Sequence, residues 1–303
     1  MRHLWIMTLA IAFGMMSGCG DSTDPGDPPL PKPEFIVAPT ATNVQVSFAD
    51  ITWETNTPTT GEVRYGTSSN DYTLDSKREQ ESTLHSVRLF GLNSNTTYYY
   101  QVESKNSSGT LVSEELQFTT TRTLAEMVPF AWSLYESGQT AEAIAIFLDI
   151  TSRQTSAFLS DAYNGLGWSY AAQDSMQKSI HYFDLAVSAR TLFTEAHAGR
   201  GFVRLALKDY SGAIDDLTNV LSEQADFVFS HDSSIDFRDV SVALAEAYFF
   251  RQNLEQAQMF INRIAPDNGL DANDPTSWVV DDIQYNDYTT ALLIWIEKLK
   301  SMI

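Results

Sequence analysis

One thiol, five imidazoles and thirty-nine carboxylates are the groups from which this 303-residue chain could build a reactive centre. Acid–base, nucleophilic or metal chemistry needs several of them held at set spacings, and the sequence offers none. It contains no His-Glu-x-x-His, no Gly-x-x-x-x-Gly-Lys-Ser/Thr phosphate loop and no complete Gly-x-Gly-x-x-Gly. The nearest approach to a nucleophile elbow, "GWSYA" from Gly167 to Ala171, falls in a helical pattern and lacks the strand-to-helix turn that would expose Ser169. His85 lies on an expected strand, and His181 and His197 lie on expected helices; each reads as a packing imidazole. The best metal grouping is His231 with Asp232 and Asp236, while "PDNGLDAND" from Pro266 offers oxygens of the kind calcium takes. Neither keeps a recognised loop spacing, and Asn268-Gly269 is a turn signal in itself. The expectation is a chain with no catalytic residue, no metal site and no cofactor.

Composition points the same way. With 43% hydrophobic and 19% charged residues the chain is ordinary globular material, long enough for two domains. Its net charge of -20 disfavours nucleic acid or an anionic lipid surface as partner. A lone Cys19 excludes an internal disulfide and any zinc site built on two thiols.

Cys19 follows an apolar stretch, Leu4 to Met16, which is too short to span a bilayer as a finished helix and ends in Ser17-Gly18. The segment resembles the lipobox of bacterial lipoproteins. That resemblance implies a signal peptide over 1–18 and a Cys19 that is acylated with palmitate-like chains and becomes the first mature residue; the other reading is a secreted, unlipidated protein with a stray thiol. Two or more acyl chains, at ~0.8 kcal/mol per buried methylene, hold a protein durably at a membrane. Gly20 rather than Asp after the cysteine favours the outer membrane by the lipoprotein sorting rule. Which face is exposed, periplasmic or external, stays open. The stretch from Cys19 to Pro33 is rich in Pro and Asp and reads as an extended linker.

From 34 to 121 the apolar pattern alternates with period two between turn residues at 8 to 12 residue spacing, as in an antiparallel sandwich. Ile51-Thr52-Trp53, Val63-Arg64-Tyr65-Gly66, and Gly91-Leu92 followed by Thr96, Tyr98 and Val102 resemble a fibronectin type III domain. The likeness is greatest to the small modules that precede bacterial and plant metallophosphoesterases. It implies a strand ending at Trp53, a turn in "TPTTG", a strand Glu62 to Tyr65, and Tyr98 as a tyrosine-corner residue. A spacer role is expected of it, since no Arg-Gly-Asp occurs in the chain.

Over 124–303 the period becomes 3.6 and the chain repeats itself. Ala131, Gly167, Gly201 and Ala245 recur as a small residue, with 36, 34 and 44 residues from each to the next. Tyr163, Leu166, Gly167, Tyr170, Ser179, Phe183 and Ala186 resemble the tetratricopeptide signature. The expected fold is therefore multidomain: an all-β fibronectin type III-like sandwich, then an all-α solenoid of about four helical hairpins with a capping helix that carries Leu292, Trp295, Ile296 and Leu299. The long last offset holds an insertion near Ser222 to Ser234.

The tetratricopeptide resemblance implies a concave groove lined by first helices, facing Trp132, Trp168, Phe202 and Glu246, with Tyr135, Asp161, Asn164, Glu195, Asp239 and Phe249 also turned inward. Two readings stand for the aromatics: an open binding stripe, or packing against adjacent helices and the last helix. On the first, the chain is a non-enzymatic envelope lipoprotein that acts as an adaptor or scaffold for a protein partner. The alternative is a surface lipoprotein that captures glycans or solutes by stacking Trp132, Trp168 and Phe202 on sugar rings.

Overall fold

The computed structural model describes residues 30–153 and 156–303. The expected signal peptide, Cys19 and most of the linker lie outside the described residues. Two compact units are found, one holding residues up to Thr119 apart from Asn93–Asn95, the other holding that loop and Thr120–Ile303.

The described residues of the first unit form six strands: β1 (Phe35–Thr42), β2 (Phe48–Gly66), β3 (Leu74–Phe90), β4 (Thr97–Asn106), β5 (Gly109–Val112) and β6 (Leu116–Thr119). All pairings are antiparallel. The first part of β2 pairs with β1 and the end of β3, and its second part pairs with the start of β3 and with β4, so β2 passes from one layer of the sandwich to the other. Ile51, Trp53, Val63, Tyr65, Val87, Leu89, Tyr98, Tyr100, Val102 and Phe118 fill the core between them. Tyr98 is buried and stacked on Phe118, Tyr100 is buried, and Tyr99 between them is only half-buried, as strand alternation requires. Trp53 stacks on His85 with ring centres 4.6 Å apart, and its indole N–H donates to Ser104 Oγ at 2.8 Å.

The turn expected in "TPTTG" is absent: β2 runs unbroken through it with register shifts between Glu54 and Gly61. Thr55, Thr57 and Thr59 take the buried positions of the alternation there. Two of the hydroxyls are engaged, Thr55 Oγ1 donating to the Thr57 carbonyl at 2.8 Å and Thr59 Oγ1 bonding His85 Nε2 at 3.0 Å. β-branched threonines fit a strand sterically, and satisfied hydroxyls can be buried.

The second unit contains α1 (Leu124–Glu136), α2 (Thr140–Ser152), α3 (Ser156–Ala172), α4 (Met176–Ala189), α5 (Thr194–Ala206), α6 (Tyr210–Glu223), α7 (Phe237–Phe250), α8 (Leu254–Ile264) and α9 (Tyr288–Lys300). They form four consecutive hairpins, α1/α2 to α7/α8, with α9 packed on α7 and α8. This is the tetratricopeptide-type solenoid, following an all-β unit. The four hairpin turns are one structure repeated. Gly138, Asp174, Lys208 and Gln252 each take a left-handed backbone, and the next residue's N–H donates back to Leu134, Tyr170, Arg204 or Tyr248 at 2.8 to 2.9 Å. Only the first of these positions is glycine, so sequence signals for the other three turns are weak. Phe147 and Phe183 are fully buried where glycines let helix backbones come close, Phe147 against Gly165 and Phe183 between Gly167 and Gly199. Among the described residues no helix is long and apolar enough to cross a membrane.

Candidate functional site

α1, α3, α5 and α7 touch one another in sequence, and no comparable row joins α2, α4 and α6. The first helices are therefore the inner, more closely spaced layer, and the residues expected in a groove sit on it. The aromatic stripe is not open, however. The insertion Gln224–Asp236, between α6 and α7, folds over its first half. Phe229 stacks on Trp168 at 4.1 Å and 18° and meets Trp132 edge-on at 6.0 Å. His231 lies flat on Trp132 at 3.7 Å and 3°, with its Nδ1 2.7 Å from Glu136 Oε1. Trp132 and Trp168 are left only 4% and 5% exposed. Of the two readings of the aromatics, the packed one therefore describes Trp132 and Trp168, with the insertion rather than an adjacent helix or the last helix as a cover, while Phe202 is only half-buried. The signal was present in the sequence as Phe227-Val228-Phe229, an aromatic pair inside a largely polar insertion.

The remaining residues of the expected set divide between covered and engaged. Glu195 accepts from Asn164 Nδ2 at 3.3 Å and from the Ser230 backbone N–H of the insertion at 3.2 Å. Asn164 is 1% exposed. Tyr135 stands edge-on to Trp132 at 5.5 Å, and burial, helped by the charge of Asp232, pushes its hydroxyl up to about 12. Asp161 pairs with Arg190 at 3.2 Å. Asp239 forms the capping box of α7 with Asp236, and burial pushes its carboxyl above the ordinary value. Phe249 is buried.

The second half of the inner face is different. Phe202 and Glu246 line a cavity of about 390 Å³ together with Leu205, Tyr210, Phe250 and Lys300. Tyr210 and Phe250 stack at 4.9 Å, and Glu246 pairs with Lys300 of α9 at 3.1 Å. Tyr210, Phe250 and Lys300 were not anticipated, because two helix ends and the last helix meet here only in three dimensions.

The other titratable groups singled out in the sequence make contacts within the fold. His231, Asp232 and Asp236 do not converge: His231 faces Glu136, Asp232 accepts from Ser234, and Asp236 caps α7 and binds Arg238. In the "PDNGLDAND" stretch Asp271 accepts the Asn273 N–H, and Asp274 caps the short 3-10 turn at Pro275–Ser277. Among the described residues no group of three or more His, Cys, Asp or Glu could hold a metal ion. His197, on α5, places Nδ1 2.9 Å from Asp216 Oδ1 and Nε2 2.9 Å from the Thr191 carbonyl. Asp216, on α6 and 3% exposed, also receives the Arg200 fork at 2.7 and 2.9 Å and Arg204 at 2.6 Å. This cluster ties α5 to α6.

Residues 37–120, nearly the whole first unit, match the family model described as the purple acid phosphatase N-terminal domain, in line with the phosphoesterase-associated module expected there. No curated protein matches the chain. Solved structures similar to it include MamA residues 41 to end from Desulfovibrio magneticus RS-1, 17% identical over 59% of this chain and 96% of that one, TM-score 0.42. Another is a tetratricopeptide repeat protein from Parabacteroides merdae ATCC 43184, 13% identical over 59% and 60%, TM-score 0.41. A third is PilW, a type IV pilus biogenesis factor, 14% identical over 48% and 62%, TM-score 0.40.

Proposed function

We propose that the helical unit is a protein-binding scaffold and that the chain is held at a bacterial outer membrane by acyl groups on Cys19. The observation that carries the binding reading is the open half of the inner face, where Phe202, Tyr210 and Phe250 surround a cavity with the Glu246–Lys300 pair at its edge. Aromatic rings in a pocket flanked by polar groups are what dominates protein interfaces energetically. A net charge of -20 favours a partner that presents basic side chains, mainly through its association rate. The glycan reading uses Trp132, Trp168 and Phe202 as stacking platforms, and the insertion stacks on the first two, leaving Phe202 alone of the three beside the open cavity.

A photo-crosslinking residue placed at Leu205 should capture a discrete envelope protein, and Phe202→Ala with Phe250→Ala should weaken that partner's binding at least ~10-fold, the loss expected when central aromatic anchors are truncated. Unchanged affinity in the double variant removes the site. Saturable binding of a polysaccharide, with no protein captured, favours the glycan alternative. The anchor is tested apart from the groove: cells expressing the wild-type chain should incorporate radiolabelled palmitate into it, and Cys19→Ala should abolish the label. An unlabelled wild-type product ends the lipoprotein reading.

A further inference from the structure

We propose that the insertion Gln224–Asp236 is a built-in competitor for the first half of the inner face. The partner segment it excludes is an extended peptide bearing an aromatic side chain followed, two residues on, by histidine or arginine. This rests on the reading of the inner face as protein-binding, and it adds both the partner's chemistry and its regulation.

The insertion engages the helices in the manner of a bound peptide. One aromatic ring, Phe229, stacks on Trp168; the ring two residues later, His231, stacks on Trp132 and meets Glu136; and the backbone N–H between them donates to Glu195. An arginine in place of His231 could make the same two contacts, since a guanidinium stacks on indole and pairs with a carboxylate. A peptide carrying that cation would also complement the acidic chain.

The fit of the insertion is incomplete in one respect. Asn164 and Trp168 lie one turn apart on α3, both nine-tenths buried or more, and Asn164 Oδ1 and Trp168 Nε1 have no hydrogen-bond partner. Buried polar atoms are nearly always paired, so an acceptor left empty beside a donor left idle marks a floor that its present cover does not satisfy. An incoming strand carries backbone N–H and C=O groups, the two complements required. Such an occupant gains at this floor what the insertion forgoes, which is a physical reason for exchange. The ends of the insertion are tied down independently of that floor. Phe227 is fully buried and Val228 bridges Asp236; Phe229 is fully buried as well, and its N–H donates to the Ile235 carbonyl, a bond within the insertion that exchange need not break. The tip from Asp232 to Ser234 is exposed.

The test uses a labelled synthetic peptide with the sequence of residues 224–236 and the full chain, wild type or carrying Phe229→Ala and His231→Ala, which keeps Phe227 in place. Fluorescence anisotropy should show the double variant binding the peptide at least ~10-fold more tightly than wild type. The same peptide with its own Phe229→Ala change should lose at least ~10-fold, and with His231→Arg it should retain binding. Equal binding by wild type and variant, or no binding by a variant whose circular dichroism matches wild type, overturns the proposal. Should the double variant fail to fold, the single His231→Ala chain, which uncovers only Trp132, must still bind the peptide better than wild type or the proposal falls. A chain that binds the peptide but cross-links no envelope protein leaves this inference standing and ends the scaffold reading. Capture of a partner at Leu205 without peptide binding by the double variant does the reverse.

Discussion

Replacing Asp216 by alanine is expected to destabilise the helical unit by about 3–5 kcal/mol, because it strands several donors that were buried against one carboxylate. Asp216 accepts from His197, twice from Arg200 and once from Arg204, at 2.6 to 2.9 Å. Arg200 has one further carboxylate, Asp184 at 2.7 Å, which is itself half-exposed and cannot replace the bidentate fork. Asp216→Asn should recover little, since the amide keeps one acceptor and turns a donor toward an arginine. The pH dependence has a definite sign. Burial alone would raise the Asp216 carboxyl, but hydrogen bonds from His197 and Arg200, with the charges of Arg200 and Arg204, outweigh it and leave the group below its ordinary 3.8. A carboxyl depressed on folding contributes stability that is fully present above its unfolded value and is lost as pH falls through the lower folded one. The gap in urea midpoint between wild type and Asp216→Ala should therefore be widest near neutrality and shrink below about pH 4. A gap that stays constant down to pH 2 would show that the charge on Asp216 is not what holds α5 to α6.

The β unit and the helical repeat could be read in the sequence wherever burial requires apolar side chains. Ile51, Trp53, Val63 and Tyr65 disclose their strand by alternation, and Phe147 and Phe183 disclose hairpins because each needs a small residue opposite. Reading failed where a polar residue takes a core position or a contact joins distant segments. Thr55, Thr57 and Thr59 continue the buried alternation of β2 without continuing its hydrophobicity, so a strand resembled a turn. Asp174, Lys208 and Gln252 take a left-handed backbone that glycine signals more clearly. The candidate site suffered most from distance. Trp132 and His231 are ninety-nine positions apart, and Glu246 and Lys300 come together only because α9 closes on α7. The tetratricopeptide resemblance put Trp132, Asn164, Trp168 and Glu195 of three first helices on the inner face, but a repeat pattern carries no information about a loop from two hairpins later lying across that face.

Phe183 tests whether the small residues of the repeat are there for the ring that faces them. Its side chain is fully buried, with the backbone of α3 on one side at Gly167 and that of α5 on the other at Gly199. A Cβ on Gly167 would stand 2.5 Å from Phe183 Cδ1 and Cε1, and one on Gly199 would overlap its Cζ. Core packing leaves no slack for a methyl group there, so Gly199→Ala should cost about 1–3 kcal/mol as an overpacked site. Removing the ring has the opposite fault: Phe183→Ala leaves a cavity between two hairpins and should cost about 3–5 kcal/mol. The two effects must interact. With Phe183→Leu in place, the Cζ that the new methyl strikes is gone, and the cost of Gly199→Ala should fall by at least about 1 kcal/mol in a double-mutant cycle. Urea unfolding of the four proteins measures that difference directly. Strict additivity would mean that Gly199 is required by the approach of the helix backbones themselves, and that Phe183 only fills space the hairpins leave between them.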